Sequence, residues 1–518
     1  MQKNPVVASK IVNRIEFANI REKLREDGLK VIHCHGVFDL LHPGHIEHLE
    51  EAKKLGDILV VSITSAPYVR KGPGRPYFND ELRLKTLAAL EYVDYVMLSE
   101  AVTVMEVLEY IKPDLYVKGK EYENYENDVT QNIGPEVDAV RKYGGDVYFT
   151  DGVNFSSTKL INNHFSSLPP GVKEYAMELS SKYSFDEIRK IVDSFQDIKV
   201  LVIGDIIIDE YVFCNVQGLM SKDRAFSAKY IEEEQYLGGS LAVARHLAQF
   251  SNNVTVMSIV GNEPHIHSRI LHELSKIMLL DLHVDESFRT AIKRRYIERH
   301  GIRNEYEKIF SVNYLMNEDE LSTLNRSAFY SKLASIIQEY DLVVVTDYGH
   351  GLIDEKIMDI VEKKSKFLAV NCQTNSSNYG TNLITKYRRI DTFTLDYKEI
   401  CLALNTRSSD YSALISKLRK YFKSSIGWLT LGSLGAVSST KSGATIASPA
   451  LTITVQDTIG AGDAFYAVSS LCAKAELPAD VATFLSNIAG AIEANVLGNS
   501  KPVSKSDLLK FASTLLKF

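Results

Sequence analysis

The chain has no long apolar run and no strong excess of one charge. No stretch approaches the roughly 18–20 apolar residues that a membrane span needs, and the first residues, Met1 to Lys10, lack the apolar core of a signal peptide. The formal net charge of −7 favours neither nucleic acid nor a membrane surface as a partner. We therefore expect a cytoplasmic protein with no nucleic-acid partner and no membrane partner.

Cysteine is also scarce. The five cysteines lie far apart, and their spacing matches neither a disulfide framework nor a metal site. Biased tracts are missing too, so a composition of 45% hydrophobic and 24% charged residues indicates a globular protein. At 518 residues the chain is too long for one ordinary core, and we predict two or three domains.

The stretch from Asp457 to Phe465 reads Asp-Thr-Ile-Gly-Ala-Gly-Asp-Ala-Phe and follows a predicted strand over Leu451 to Val455. The residues after it predict a helix. A glycine-bearing turn at a helix start gathers free backbone N–H groups and the positive end of the helix dipole, which suits a phosphate. Asp463 lies inside this turn, where a carboxylate can take the proton of an attacking hydroxyl. We interpret the stretch as a phosphoryl-transfer site rather than a packing turn alone.

This string resembles the C-terminal signature of ribokinase-like sugar kinases. The resemblance implies a kinase that uses ATP and Mg²⁺, with Asp463 as the catalytic base and an anion hole formed by Gly460, Ala461 and Gly462. Asp205 ends a predicted buried strand over Val200 to Asp205, and Asp209 follows it. Because ligands of open α/β sheets gather at the carboxyl ends of strands, both carboxylates are predicted to meet the sugar. Further positions follow from the resemblance: Gly238 and Gly239 for the sugar, Lys293 for substrate or phosphate, Asp396 and Glu399 for magnesium through water, and Thr430 and Gly432 for the nucleotide.

Three departures from the family pattern bear on the acceptor or the metal. An expected asparagine contact to sugar is replaced at Ala242, and an Asp-Pro-Lys segment is replaced by Asn371, Cys372 and Gln373. The family's Asn-x-x-Glu becomes Asp396-x-x-Glu399. Since none of these changes lies in the glycine turn, we expect phosphoryl transfer from ATP to persist. The identity of the sugar is left open.

The first part of the chain predicts a parallel sheet with crossovers. A strand from Val31 leads into a loop, a helix over 46–55 follows, and the next strand spans 57–63. His42 and His45, three residues apart at the helix start, project toward the same space, where two imidazoles can bind a triphosphate and stabilise departing pyrophosphate. A metal site is the weaker alternative, because no carboxylate or thiol completes a ligand set.

The string Gly36-Val37-Phe38-Asp39, followed by His42-Pro43-Gly44-His45, resembles the superfamily of cytidylyltransferases and adenylyltransferases. Together with later segments it is similar to the adenylyltransferase half of the bifunctional heptose kinase/adenylyltransferases, over about residues 28–165. Lys71 is the expected catalytic cation that holds the acceptor phosphate. The expected nucleotide- and phosphate-binding residues are Gly36, Phe38, Asp39, Gly44, Lys118, Gly119, Ser157 and Thr158, the last two at a predicted helix cap.

The expected fold class is α/β, with an N-terminal Rossmann-like nucleotidyltransferase domain over 1–165 and a C-terminal ribokinase-like α/β domain over 185–518. The breakers Leu168 to Gly171 place a linker at 166–184. The domain order is the reverse of that in the heptose enzymes.

We predict phosphorylation of a sugar or sugar phosphate, followed by transfer of a nucleotidyl group from ATP or CTP. The alternatives are a CTP-dependent transfer to a polyol phosphate, or one inactive half. The oligomeric state is left open, with a homodimer as one option.

Overall fold

A computed structural model describes residues 5–71, 75–120, 123, 132–150, 168–169, 171–300, 305–452 and 455–517. Ser157 and Thr158 lie outside these described residues. The chain forms two compact units, one of Met1–Leu168 with Leu509–Phe518 and one of Pro169–Leu508. No helix in the described ranges is both long and apolar enough to span a membrane. All five cysteines are free thiols.

The first unit is built on a parallel sheet whose central strands are buried on both faces. Its strands are β1 (Val31–Gly36), β2 (Ile58–Thr64), β3 (Tyr95–Ser99), β4 (Leu115–Gly119) and β5 (Asp146–Thr150). Its helices are α1 (Pro5–Lys10), α2 (Arg14–Glu26), α3 (Pro43–Lys53), α4 (Asp80–Ala88), α5 (Met105–Ile111) and α6 (Ile133–Lys142). Successive residues of a strand enter different cores: Ile32 packs with Leu49 and Val61, whereas Val31 packs with Phe17 and Tyr116. Such two-sided burial is typical of parallel sheets covered by helices.

The strand order β3-β2-β1-β4-β5 fixes where a ligand can bind in this unit. From β1 the chain moves outward through β2 and β3, then crosses to β4 on the other side. The carboxyl ends of β1 and β4 therefore flank the point where the winding reverses, which is the usual ligand crevice of such sheets. Gly36 ends β1 and Gly119 ends β4, so both predicted residues lie at this point.

The second unit holds two sheets. Its strands, in chain order, are β6 (Lys199–Gly204), β7 (Ile206–Leu219), β8 (Phe226–Gly239), β9 (Asn253–Val260), β10 (Leu279–Val284), β11 (Ala291–His300), β12 (Glu305–Tyr314), β13 (Leu342–Asp347), β14 (Leu368–Cys372), β15 (Thr392–Asp396), β16 (Ile426–Thr430), β17 (Ala436–Thr440) and β18 (Thr445–Ser448). The larger sheet has the order β10-β9-β6-β13-β14-β15-β16-β17-β18, and only β17 and β18 run antiparallel to their neighbours. The smaller sheet has the order β12-β11-β7-β8.

The helices from residue 171 onward are α7 (Val172–Lys182), α8 (Phe185–Asp193), α9 (Ser240–Leu247), α10 (Pro264–Leu274), α11 (Glu318–Ser322), α12 (Ser327–Ile336), α13 (Glu355–Lys364), α14 (Tyr397–Leu404), α15 (Tyr411–Phe422), α16 (Ala461–Lys474), α17 (Ala479–Glu493) and α18 (Lys505–Leu515). The long helix α16 is buried along nearly its whole length. The winding of the large sheet reverses between β6 and β13, and α16 packs against β13 and β15. The expected α/β class, with these two kinds of domain, is confirmed.

Two local predictions differ from the structure. Leu451, Thr452 and Val455 are outside any strand, because β18 ends at Ser448 and is followed by Pro449, which has no N–H to extend the ladder. The predicted linker at 166–184 contains α7, whose buried face (Val172, Ala176 and Leu179) makes it part of the second unit.

Candidate functional site

The glycine turn of the second unit contains a residue, Gly460, whose left-handed backbone conformation and close neighbours require glycine. Gly460 has φ = 88°, and a Cβ placed on it would lie 1.7 Å from Asn499 Oδ1. Helix α16 begins at the next residue, Ala461, so Asp463 lies in its first turn. The first N–H groups of a helix have no intrahelical acceptors and carry the positive end of its dipole. The structure thus brings together a buried carboxylate and a set of donors suited to a phosphate.

The carboxylate of Asp463 is oriented by a residue from another strand end. Tyr348, just after β13, donates its hydroxyl to Asp463 Oδ1 at 2.9 Å. Burial raises the pKa of Asp463 to about 7; the Tyr348 hydrogen bond opposes this shift, nearby Asp209 adds to it, and Lys293 opposes it. A carboxylate with a pKa near neutrality is well matched to general-base catalysis.

Asp205 was predicted to contact the sugar. In the structure its side chain is bonded to the backbone of the turn after β13, which contains Tyr348. One carboxylate oxygen accepts from the N–H groups of Tyr348 and His350, and the other accepts from the N–H of Leu352. Only 3% of its surface is exposed. Burial, and secondly the nearby Asp347, raise the pKa of Asp205 to about 6. Its observed role is to build the turn that positions Tyr348.

Asp209 lies on β7 and forms an ion pair with Arg295 of β11. Lys293 is the register partner of Asp209 on β11, and its ammonium lies 5.9 Å from the centroid of the Tyr348 ring. Burial lowers the pKa of Lys293, whereas the attraction of Asp209 raises it. The charges of Asp209 and Asp463 therefore act on Lys293, and those of Asp209 and Lys293 act on Asp463. Their roles toward a substrate stay a prediction.

The two glycines that end β8 leave room for these groups. A Cβ on Gly238 would lie 2.1 Å from Asp209 Oδ2, and one on Gly239, which has φ = 62°, would lie 2.4 Å from the carbonyl oxygen of Asp205. Gly238 is therefore required sterically by the carboxylate of Asp209, and Gly239 by its positive φ and by the backbone of Asp205.

We expect Gly238→Ala to lower the free energy of unfolding by about 1–3 kcal/mol, because the new methyl must displace Asp209. Urea unfolding of the full chain measures this change. Gly490→Ala is the matched control, since its nearest neighbour, the Ala461 carbonyl oxygen, would be at an ordinary 3.4 Å. Equal stability of the two variants would show that Asp209 is not held where the structure places it.

Asp396 and Glu399, the predicted magnesium residues, form a reciprocal cap at the start of α14. Asp396 Oδ1 accepts from the N–H of Glu399 at 2.7 Å, and Glu399 Oε2 accepts from the N–H of Asp396 at 2.8 Å. Glu399 Oε1 also accepts from the N–H of Thr374 at 3.1 Å. Burial and the neighbouring Asp396 raise the pKa of Glu399 to about 8.

Within the described ranges, no group of three or more His, Cys, Asp or Glu side chains is arranged to hold a metal ion. Mg²⁺ at nucleotide sites keeps several waters and is bound largely through phosphates. Asp396 and Glu399 therefore fit a hydrated Mg²⁺ carried by a nucleotide and do not form a cage of their own. Thr430, at the end of β16, and Gly432, with φ = 57° and open space around it, lie beside this strand end.

In the first unit, His42 and His45 lie at the start of α3 as predicted. Their rings stack with centroids 3.9 Å apart, and the ring of Phe38 lies 5.2 Å from that of His45. Burial lowers the pKa of His42, and burial followed by the proximity of His42 and Lys71 lowers the pKa of His45 to about 3. Both imidazoles are thus neutral near pH 7, and an arriving polyphosphate would favour their protonated forms.

Lys71 is surrounded by other cations. The residue as a whole is exposed, but the surroundings of its ammonium lower its pKa to about 8. Burial of the ammonium is the largest cause, followed by repulsion from Arg75 and Lys517 and, more weakly, from Lys510. The attraction of Asp39 opposes this shift. Lys510 and Lys517 come from the last ten residues of the chain, which belong to the first unit. The sequence analysis assigned these residues to the kinase domain. Their proximity to Lys71, more than 400 residues earlier in the chain, could not be read from local patterns.

Gly36, Phe38 and Asp39 build the loop between β1 and α3. A Cβ on Gly36 would lie 3.0 Å from the Phe38 ring, and Phe38 itself has φ = 45°. Asp39 accepts from the N–H groups of Tyr77 (2.9 Å) and Phe78 (3.0 Å). Its carboxylate therefore ties this loop to the segment after Lys71, which differs from the direct nucleotide contact predicted for it.

Lys118 and Gly44 complete the predicted set. The ammonium of Lys118 contacts Glu136 Oε2 at 2.8 Å, and Gly44 is buried in the first turn of α3. A phosphate ligand at Lys118 would have to compete with Glu136, so this role stays a prediction.

The three other histidines between residues 33 and 48 form hydrogen bonds with hydroxyl groups. His33 and His35 contact Ser62 Oγ at 2.8 and 2.7 Å, and His48 contacts Thr150 Oγ1 at 2.8 Å.

Sequence reasoning assigned no role to Tyr348 or Arg295. For Arg295 a signal existed, because it stands two residues after Lys293 on one strand and therefore shares its face. Tyr348 directly follows a predicted strand end, but its partner Asp463 is 115 residues away in the chain.

Comparisons with known proteins agree with the two sites. Residues 33–163 match the cytidylyltransferase-like family and residues 197–505 match the pfkB family carbohydrate kinases. A bifunctional protein HldE of Koribacter versatilis is 39% identical over 160 residues, covering 30% of this chain and 32% of that protein. The HldE of Hahella chejuensis is 42% identical over 139 residues, covering 26% and 28%. The chain thus spans less than a third of these curated relatives, in its N-terminal region.

A solved structure of a candidate ribokinase from Agrobacterium tumefaciens superposes with a TM-score of 0.50 at 16% identity, covering 62% of this chain and 99% of that one. This likeness concerns the fold alone. The match to residues 197–505 spans more than half of the chain, and the chain belongs to the pfkB family of carbohydrate kinases.

Proposed function

We propose that this chain is a bifunctional enzyme that phosphorylates a sugar or sugar phosphate and joins a sugar phosphate to a nucleotide. The observation that carries the proposal is Asp463, a buried carboxylate with a pKa of about 7 in the first turn of a buried helix. The stacked pair His42 and His45, at the reversal point of a separate parallel sheet, supports the second activity.

In the kinase half, the acceptor hydroxyl gives its proton to Asp463 as its oxygen attacks the γ-phosphorus of ATP, and ADP leaves as the bond from the γ-phosphorus to the β,γ-bridging oxygen breaks. Tyr348 holds Oδ1, and among the described residues no group donates to Oδ2, which leaves that oxygen for the hydroxyl. The N–H groups of the glycine turn face the charge that develops on the transferred phosphoryl oxygens. Mg²⁺, when bound with ATP, neutralises phosphate charge. Lys293 and Asp209 hold the sugar side.

We expect Tyr348→Phe to move the acid limb of the kinase pH profile to higher pH. The Tyr348 hydroxyl lowers the pKa of Asp463 by bonding its charged form, so its removal raises that pKa above about 7. The base is then protonated, and inactive, over a wider acid range. The kcat/KM of phosphorylation measured from pH 5 to 9 tests this; an unshifted limb would mean that Tyr348 does not set the state of the base.

In the nucleotidyltransferase half, the attacking sugar phosphate is already an anion and needs no general base. The chain's task is to align it with the α-phosphate of the nucleotide and to neutralise the departing pyrophosphate. His42 and His45 supply ring N–H donors to these oxygens, and Lys71 holds the acceptor phosphate. The crowding of cations around Lys71 is relieved when phosphates arrive, which favours binding of polyanions.

The relatives that match the N-terminal region are bifunctional HldE proteins, so we propose heptose phosphates as the first acceptors to test and ATP as the first nucleotide. CTP is the second nucleotide, because the family of residues 33–163 is cytidylyltransferase-like. Both reactions would require Mg²⁺.

The two half-reactions are best tested separately with purified full chain and Mg²⁺. ADP release with a panel of sugars and sugar phosphates measures the kinase, and pyrophosphate release from ATP or CTP with sugar 1-phosphates and polyol phosphates measures the transferase. Activity in both assays would support the proposal. Pyrophosphate release only from CTP with a polyol phosphate would replace nucleotide-sugar synthesis by CTP-dependent transfer to a polyol phosphate. No activity in one of the two assays would show that the corresponding half is inactive.

A further inference from the structure

The small sheet of the second unit meets the phosphoryl-transfer loop at one buried carboxylate, Asp457. Its side chain is only 2% exposed. Asp457 Oδ2 accepts from the hydroxyl of Tyr211 on β7 at 2.8 Å, and Oδ1 accepts from the ammonium of Lys308 on β12 at 2.8 Å. Two strands that are not neighbours in the sheet thus hold the same side chain.

Asp457 is also the first residue of the loop that leads to Asp463. Its Oδ1 accepts from the N–H of Ile459 at 3.1 Å, and its Oδ2 accepts from the N–H of Gly498 at 3.3 Å. Buried Tyr211 packs with partly buried Ile459 and Leu497. The carboxylate therefore joins the small sheet to the loop whose glycines begin α16.

The same contacts extend to the predicted sugar-binding side. The guanidinium of Arg295 lies 5.5 Å from the centroid of the Tyr211 ring and pairs with Asp209. A continuous set of contacts thus runs from Asp209 through Arg295 and Tyr211 to Asp457. Such a set of contacts can let occupancy of the sugar site affect the phosphoryl-transfer loop.

The two side-chain donors to Asp457 differ in how easily they can leave. Tyr211 is fully buried, whereas the side chain of Lys308 is 41% exposed. The ammonium can therefore leave the carboxylate without unfolding the sheet, and its departure removes the only cation that pairs with Asp457 among the described residues. A buried carboxylate without a cation is unfavourable, so the loop should loosen when this pair opens.

We propose that Asp457 is a latch between the small sheet and the phosphoryl-transfer loop, and that Lys308 is a positioning residue that closes it. The proposal rests on the kinase activity proposed above. It goes beyond that activity by assigning the order of the loop to a breakable ion pair from β12.

Lys308→Met tests the latch, with Lys308→Arg as the conservative variant and Lys229→Met as the matched control, because Lys229 is an exposed lysine on β8 of the same sheet. The first readout is amide hydrogen exchange over residues 457–463 in the full chain without ligands. The latch predicts faster exchange in Lys308→Met alone, with Lys308→Arg close to wild type.

The second readout separates kcat from KM. We expect Lys308→Met to lower kcat of phosphorylation roughly 3- to 30-fold with an unchanged KM for ATP, and Lys308→Arg to restore it. Wild-type exchange rates in Lys308→Met would overturn the latch even if the chain is a kinase. A wild-type chain without kinase activity would refute the proposed function, and the exchange result would then decide the latch alone.

Discussion

Asp463→Asn is expected to lower kcat of sugar phosphorylation by roughly 10²–10⁴-fold, the usual contribution of a general base. Asparagine keeps the shape of the side chain and can still contact the Tyr348 hydroxyl, but its amide oxygen cannot take up the proton of the acceptor. The loss should therefore appear in kcat, while KM for ATP stays near its wild-type value because the N–H groups of the helix start are unchanged. Steady-state ADP release measures both constants.

The first unit supplies an internal control for this variant. Asp463 belongs to the second unit, so the release of pyrophosphate by Asp463→Asn should equal that of wild type. A second check is the acid limb of the wild-type kinase profile, which should fall below about pH 7 as Asp463 becomes protonated. A loss of less than tenfold in kcat would exclude Asp463 as the base.

His45→Ala is expected to lower nucleotidyl transfer by roughly 10²–10³-fold, as the loss of one donor to a developing oxyanion does in other enzymes. The ring of His45 stacks on His42 at the start of α3, beside the reversal point of the sheet. Removal of one ring leaves the departing pyrophosphate with fewer donors. Pyrophosphate release at saturating nucleotide measures the effect.

In the same preparation, kinase activity should stay at the wild-type level, which shows that the chain is folded. The low pKa of His45, about 3, predicts that its imidazole is neutral near pH 7 in the free chain. If His45→Ala catalyses nucleotidyl transfer at more than a tenth of the wild-type rate, His42 and His45 are not the catalytic donors.

The architecture was readable because apolar strands alternate with helical segments throughout the chain. The predicted strand at 57–63 and helix at 46–55 correspond to β2 (Ile58–Thr64) and α3 (Pro43–Lys53). Where a strand was predicted at 451–455, the described residues Leu451, Thr452 and Val455 lie outside any strand, since apolar residues also occur in irregular segments. Pattern alone does not distinguish these cases, although Pro449 was a visible warning.

The candidate site was predictable where one short segment contains all its parts. Gly460 to Asp463 is such a segment, because a glycine turn and a helix start are local features. The capping role of Asp396 and Glu399 was also readable, since Asp-x-x-Glu at a helix start is a capping-box pattern. That role limits how these two carboxyls can serve a metal.

Contacts between distant strands could not be read from the sequence. The Tyr348–Asp463 hydrogen bond joins residues 115 apart, and the Lys308–Asp457 pair joins residues 149 apart. The backbone contacts of Asp205 were also not readable: its position at a strand end suggested a ligand contact, and the structure adds that nearby N–H groups donate to both of its oxygens.

Two sequential transfers by one chain can be followed by mass spectrometry of a one-pot reaction of wild-type chain, Mg²⁺, ATP, CTP and an isotopically labelled heptose or heptose 7-phosphate. If the kinase product is the sugar 1-phosphate, we expect a labelled sugar that gains one phosphate and then a nucleoside monophosphate. Asp463→Asn should give neither product, and His45→Ala should stop at the phosphorylated sugar. Unchanged labelled acceptors with wild-type chain across the panel of sugars would contradict the proposed bifunctional activity.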